Sequence, residues 1–192
     1  MTMWYINRSA GIVAWLLLAG SMMVGLLLSS RALGRKARPN WLTDLHRGLS
    51  GLSVAFVAVH VAGAVGDNYI HYGWADTLVP FASSWRPWAL AWGVVSMYLL
   101  VAVELSSLIR KRIPKAIWRK IHYLSFPLFI TATTHGFTAG TDVGTNLGIA
   151  AASLATAAIA GLTVIRVRDE IEKANQAGVR ADPPRPRSGS SL

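Results

Sequence analysis

The chain has no cysteine in its 192 residues. That absence excludes disulfides, thiolate-bound iron–sulfur clusters and covalent c-type haem attachment. Charge is also scarce: 15% of residues are Asp, Glu, Lys or Arg, against about 25% in a soluble domain. Acidic residues are the rarer sign, 9 against 19 basic. No Gly-rich dinucleotide fingerprint follows a strand and no Walker loop is present. No polar stretch is long enough to fold as a flavin or nicotinamide domain.

What fills the chain is apolar: 53% hydrophobic residues and a mean hydropathy of +0.40. These residues come in five long runs rather than with helical periodicity: Ala10–Ser30, Gly48–Gly66, Trp88–Ile109, Ile121–Phe137 and Leu147–Ile165. Such runs suit helices crossing a hydrocarbon core of about 30 Å. The fourth is the shortest, with Thr138 after it available to extend it. The expected fold is an all-α membrane protein, a five-transmembrane-helix bundle over residues 1–168, followed by a cytoplasmic tail over 169–192. The first run follows Met-Thr-Met-Trp-Tyr, without the basic n-region of a signal peptide, and reads as a retained helix. The last is dominated by Ala150, Ala151, Ala152, Ala155 and Gly161, small residues that let membrane helices approach closely. The run Asp169-Glu-Ile-Glu-Lys prolongs it by a turn or two. Pro183, Pro184, Pro186 and the closing Ser-Gly-Ser-Ser read as disordered.

A net charge of +10 and a pI near 10.7 would point to nucleic acid in a soluble protein. Here the distribution excludes that partner. Basic residues fall in the first connection (Arg31, Arg35, Lys36, Arg38, Arg47), the third (Arg110, Lys111, Arg112, Lys115, Arg119, Lys120) and the tail (Arg166, Arg168, Lys173, Arg180, Arg185, Arg187). In a five-span threading, 17 of the 19 lie on one side, with Arg8 and Arg86 opposite. The positive-inside rule then puts the amino terminus outside a cell membrane and the carboxyl terminus in the cytoplasm. Anionic membrane lipid is the ordinary partner of such a surface. Asp67, Asp76 and Asp142 fall on the outer side. Trp4, Trp74, Trp85 and Trp88 mark the outer boundary, Trp41 and Trp118 the inner one.

Four of the five histidines form two matched pairs: His46 and His60 are 14 residues apart, His122 and His135 are 13 apart. An ionisable side chain in a membrane helix is expensive and calls for a partner. Neutral imidazole is an axial ligand of haem iron. Fourteen residues of helix rise about 21 Å, enough to set one haem near each membrane face. The second and fourth spans run parallel in this threading, so His46 pairs in depth with His122, and His60 with His135. Any haem is then b-type, held by coordination and packing. Helical phase fits the second span, where His60 falls about 40° from His46, and fits the fourth poorly, at about 140°. Pro127 lies between His122 and His135 and removes a backbone donor, so a local change of winding is expected there. The ordinary alternative is interfacial histidines satisfied by hydrogen bonds or water. His71, in a polar outer loop, reads as a solvated residue.

Arg47 and Arg119, with Lys120, flank the inner histidines and suit anionic haem propionates as well as the positive-inside pattern. Phe126 and Phe129 lie between the two levels and read as aromatic core packing. Glu104, in the third span, is a candidate for a quinone site.

At these residues the chain resembles the ferric reductase-like transmembrane domain found in NADPH oxidases, ferric reductases and the haem subunit of periplasmic methionine sulfoxide reductase systems. The stretches that carry the resemblance are Asp44-Leu-His-Arg-Gly-Leu-Ser with His60, and Trp118-Arg-Lys-Ile-His-Tyr-Leu-Ser with Thr134-His135-Gly136. It extends from about Arg8 to Ile165. The resemblance implies a bundle binding two b haems, with His46 and His122 on the inner, His60 and His135 on the outer, and electrons moving outward. The chain departs from the oxidases in lacking their flavin and NADPH domains. It resembles instead stand-alone subunits that serve separate extracytoplasmic proteins.

The expected function is a transmembrane cytochrome b, the electron-transfer subunit of an oxidoreductase system. It would take electrons from a separate flavin reductase, reduced flavin or quinol and pass them to an extracytoplasmic acceptor protein or ferric chelate. Two rivals remain at this point: a quinone-linked cytochrome b anchor, and a non-redox membrane scaffold without haem.

Overall fold

A computed structural model describes residues 2–30, 40–67, 72–140 and 145–181, with the side chains of 178–181 left aside. His71, Asp142, the basic residues Arg31, Arg35, Lys36 and Arg38, and the proline-rich tail from Asp182 onward lie outside the described residues. The described chain is entirely helical: α1 (Thr2–Ser29), α2 (Asn40–Val65), α3 (Trp74–Leu78), α4 (Pro87–Leu108), α5 (Lys115–His122), α6 (Ser125–Ala139) and α7 (Asn146–Ala181).

Four helices, α1, α2, α4 and α7, are long and apolar enough to cross a membrane. The fourth apolar run of the sequence, expected as one span over 121–137, is instead divided between α5 and α6. Pro127 supplies the reason. Its ring nitrogen has no hydrogen to offer the carbonyl one turn earlier, that of Tyr123, and the ring crowds that carbonyl. The backbone answers with tight three-residue closures: the Leu124 amide donates to Ile121 O at 2.9 Å and the Phe126 amide to Tyr123 O at 3.2 Å. The regular ladder resumes with Leu128 N–H to Leu124 O at 2.9 Å. The expected change of winding is therefore present, four residues before the proline rather than at it. α6 alone has 15 residues, about 22 Å of helix.

Other boundaries follow local chemistry. α4 starts with Pro87 at its first position, where a missing amide costs nothing. α3 is capped by Gly73, whose amide donates to the Asp76 carboxylate at 2.7 Å. At the start of α7 the Thr145 hydroxyl accepts the Gly148 amide at 3.2 Å. That helix runs to Ala181, past the turn or two expected after Arg168. A Lys173–Glu170 ion pair at 2.7 Å and a Gln176–Glu172 bond at 3.0 Å line its exposed extension.

α1 packs chiefly on α2 and α4 chiefly on α6, while α7 leans on α1. The two hairpins meet in a small core of Ala19, Met22 and Leu26 from α1, Phe129 from α6 and Ile159 from α7. Trp15 closes it, stacked on Phe129 at 6.1 Å between ring centres, with its indole N–H on Thr133 Oγ1 at 2.9 Å. Phe126 packs against the same cluster. Between the levels of the paired histidines the bundle is thus filled by aromatic and aliphatic side chains. Large apolar residues on the periphery, such as Leu154 and Leu108, are exposed, as a surface facing lipid requires.

Candidate functional site

Two histidine pairs, each joining α2 to the α5–α6 arm, stand at different levels of the bundle. The His46 and His122 rings lie 6.1 Å apart, inclined at 77°. The His60 and His135 rings also lie 6.1 Å apart at 77°. The pairing expected from depth is the pairing the helices produce.

Three of the four imidazoles are anchored by their second nitrogen. Nδ1 of His60 lies 2.8 Å from Asn7 O on α1, and Nδ1 of His135 lies 2.8 Å from Ala89 O on α4. Nδ1 of His46 lies 2.9 Å from Ser21 O on α1. A carbonyl only accepts, so each Nδ1 carries the hydrogen and Nε2 keeps its lone pair. That is the tautomer a metal ligand needs, held by the kind of outer hydrogen bond that orients ligating histidines. The fourth, His122, is supported differently. Its ring stacks on Trp118 one turn earlier, 5.0 Å away at 26°, and its Nδ1 is buried without a partner.

The donor set fits haem iron. Two imidazoles bound through Nε2 to one iron set their ring centres about 6 Å apart, from a metal–nitrogen bond of about 2 Å and about 1.1 Å more to each ring centre. Among the described residues no group of three or more His, Asp or Glu side chains forms an ordinary metal site.

Around the inner pair, Arg47 follows His46 on α2 and Arg119 precedes His122 by three residues on α5; both side chains are exposed. Arg166 of α7 joins them, its guanidinium donating to Tyr123 Oη at 3.1 Å and lying 5.2 Å over that ring. Glu104 is half-buried on α4, with Ser50 as a polar neighbour. Ser50 Oγ is 2.8 Å from Ser21 Oγ, which is 3.1 Å from His46 Nδ1.

The 72–87 segment reaches the end of α6 that carries His135. Arg86 has φ 42°, a left-handed backbone unusual for a residue with a side chain. It is held by a 2.9 Å bond to Thr138 O and by contact with the Trp85 ring at 5.0 Å. Tyr72 stands edge-on to Trp85 at 6.0 Å. Burial first, then the Asp67 and Asp76 carboxylates, push its hydroxyl up to about 12, so it stays neutral at any physiological pH. Sequence reasoning missed the backbone acceptors Asn7, Ser21 and Ala89, the Trp118 stack and the approach of Arg166. Carbonyl acceptors leave no side-chain signature, whereas Trp118 stands four residues before His122, the spacing of neighbours on a helix.

Comparison with curated proteins and with solved structures finds no match. A family model described as ferric reductase like transmembrane component matches residues 9–133, about two thirds of the chain. The matched stretch holds His46, His60 and His122 and ends two residues before His135. With four membrane-length apolar helices and this match, the chain is a multi-pass helical membrane protein that belongs to the ferric reductase-like transmembrane component family.

Proposed function

We propose that this protein is a transmembrane cytochrome b that relays electrons from a cytoplasmic-side donor, through two bis-histidine b haems, to an extracytoplasmic acceptor. The observation that carries the reading is the repeated histidine pair: two sets of rings at 6.1 Å, three of the four Nδ1 atoms tied to carbonyls. Membership of a ferric reductase-like family supports a redox role.

His46 and His122 would hold the inner haem, His60 and His135 the outer. Bound there, haem iron supplies a one-electron couple that no side chain of this cysteine-free chain offers. The protein's own part is to ligate, orient and insulate. α1 and α4 fix three imidazoles by their backbone carbonyls, and Trp118 fixes the fourth by stacking. Trp15, Phe129, Met22 and Leu26 keep water out of the space between the levels. Arg47 and Arg119 offer guanidinium partners for propionates at the inner level.

In the proposed threading α5 and α6 together make the fourth of five crossings, the amino terminus is outside the cell membrane, and α7 ends in the cytoplasm. The basic inner surface, including Lys111, Arg112, Lys115 and Lys120, would steer a phosphate-bearing or acidic donor such as a reduced flavin, a flavin reductase or a quinol-linked partner. An extracytoplasmic protein or a ferric chelate would collect electrons beneath the 72–87 cap.

Liposomes holding the haem-loaded protein test this. A reductant sealed on the side of the α7 terminus should reduce an impermeant acceptor outside, and His46→Leu should abolish the transfer. Undiminished transfer in that variant would refute the relay.

A further inference from the structure

Each of the three anchored imidazoles lies over a glycine of the facing helix. A Cβ built on Gly11 would stand 2.8 Å from His60 Nδ1, and one on Gly93 2.7 Å from both Nδ1 and Cε1 of His135. One on Gly25 would stand 3.1 Å from His46 Cε1. The first two are closer than real Cβ contacts come, and the third is tighter than nearly all of them.

The glycines share a register with the carbonyls. In every case the glycine stands four residues after the acceptor: Asn7 and Gly11, Ser21 and Gly25, Ala89 and Gly93. Helix geometry explains the interval. The carbonyl of residue i already accepts the amide of residue i+4, but it has a second lone pair. The Cα–Cβ bond tilts toward the helix amino terminus, so a Cβ at i+4 leans back over that oxygen. Glycine at i+4 removes the obstruction, and an imidazole from another helix reaches the second lone pair.

His122 is the exception: its Nδ1 is buried without a hydrogen-bond partner, and its ring is supported by stacking on Trp118 instead.

Resting on the two-haem reading, we propose that Gly11, Gly25 and Gly93 are positioning residues for His60, His46 and His135. Each opens one backbone carbonyl that fixes its imidazole with Nδ1 protonated and Nε2 free for iron. The outer site is then doubly seated and the inner site singly seated.

The test uses the full chain in lipid nanodiscs. Gly11→Ala or Gly93→Ala should lose or spectrally shift the outer haem, and Gly25→Ala the inner one, each sparing the other haem's paramagnetic resonance signal and midpoint potential. Gly20→Ala, whose Cβ would meet only Leu49 Cδ1 at an ordinary 3.6 Å, should leave both signals unchanged. Because alanine at a tight seat can also prevent folding, 15N signals of labelled histidines in the wild-type chain provide a second test of the seats. Unchanged signals in all three alanine variants would overturn the proposal. If wild-type protein proves haem-free, the two-haem reading is what has failed, and 15N signals of labelled histidines still decide the seats. Protonated Nδ1 at His46, His60 and His135 upholds them, and protonated Nε2 at any of the three overturns them.

Discussion

The His46–His122 and His60–His135 pairs have the same ring separation and inclination, 6.1 Å and 77°, on different supports. In the His60–His135 pair both imidazoles are tied to carbonyls of continuous helices, α1 and α4. In the other, His46 is tied to Ser21 O, whereas His122 sits at the end of an eight-residue helix next to the break made by Pro127. It is held there by stacking on Trp118. Two unlike scaffolds therefore present one ring geometry. The difference teaches that ring spacing is set by the bundle, while each ring's support is set residue by residue by what touches Nδ1 and the ring face.

The largest effects should come from removing ligands one level at a time. His60→Leu or His135→Leu should reduce haem content from two to one per folded chain and leave the inner spectrum in place; His122→Leu should do the reverse. Loss of both haems from a single outer substitution would break the claim that the levels are independent.

Sidedness is an all-or-none readout of the same comparison. Cysteine placed at Asp76, on the outer cap, should react with an impermeant reagent on intact cells, and cysteine at Gln176 on the α7 extension should not. The opposite pattern would exchange inner for outer and reverse the direction of electron flow.

A smaller effect is expected from Trp118→Ala. Ring stacking contributes about 0.5–1.5 kcal/mol beyond burial, so the inner haem should dissociate roughly two- to tenfold faster while the outer rate is unchanged. Equal acceleration at both levels would show Trp118 to be a general packing residue. Smallest of all, Arg47→Gln and Arg119→Gln should each weaken inner haem retention by up to about fivefold, an effect that fades with added salt, because exposed ion pairs contribute about 0–1 kcal/mol.

Much of this was legible in the sequence. The apolar runs located the four membrane-length helices, since a lipid-facing helix must be apolar along its length. The 14- and 13-residue intervals between histidines indicated which rings would stand side by side, because parallel spans put equal depths together. The division at Tyr123–Leu124 was legible only in part: Pro127 announced a disturbance, but its consequence falls on the carbonyl one turn earlier. The carbonyl anchors were not legible, since a backbone acceptor has no residue type. Their glycines left a trace nonetheless: Gly11 and Gly25 are 14 residues apart, the same interval as His46 and His60. Without the α1–α2 register that echo has no meaning. The approach of Arg166 to Tyr123 depends on how α7 leans on its neighbours, which no local pattern encodes.

The most direct test of the central claim is haem stoichiometry in purified, folded, full-length protein, measured with the dithionite-reduced spectrum. Two bis-histidine sites require two low-spin b haems per chain. One haem per chain, or none, in protein that is demonstrably folded would contradict the account.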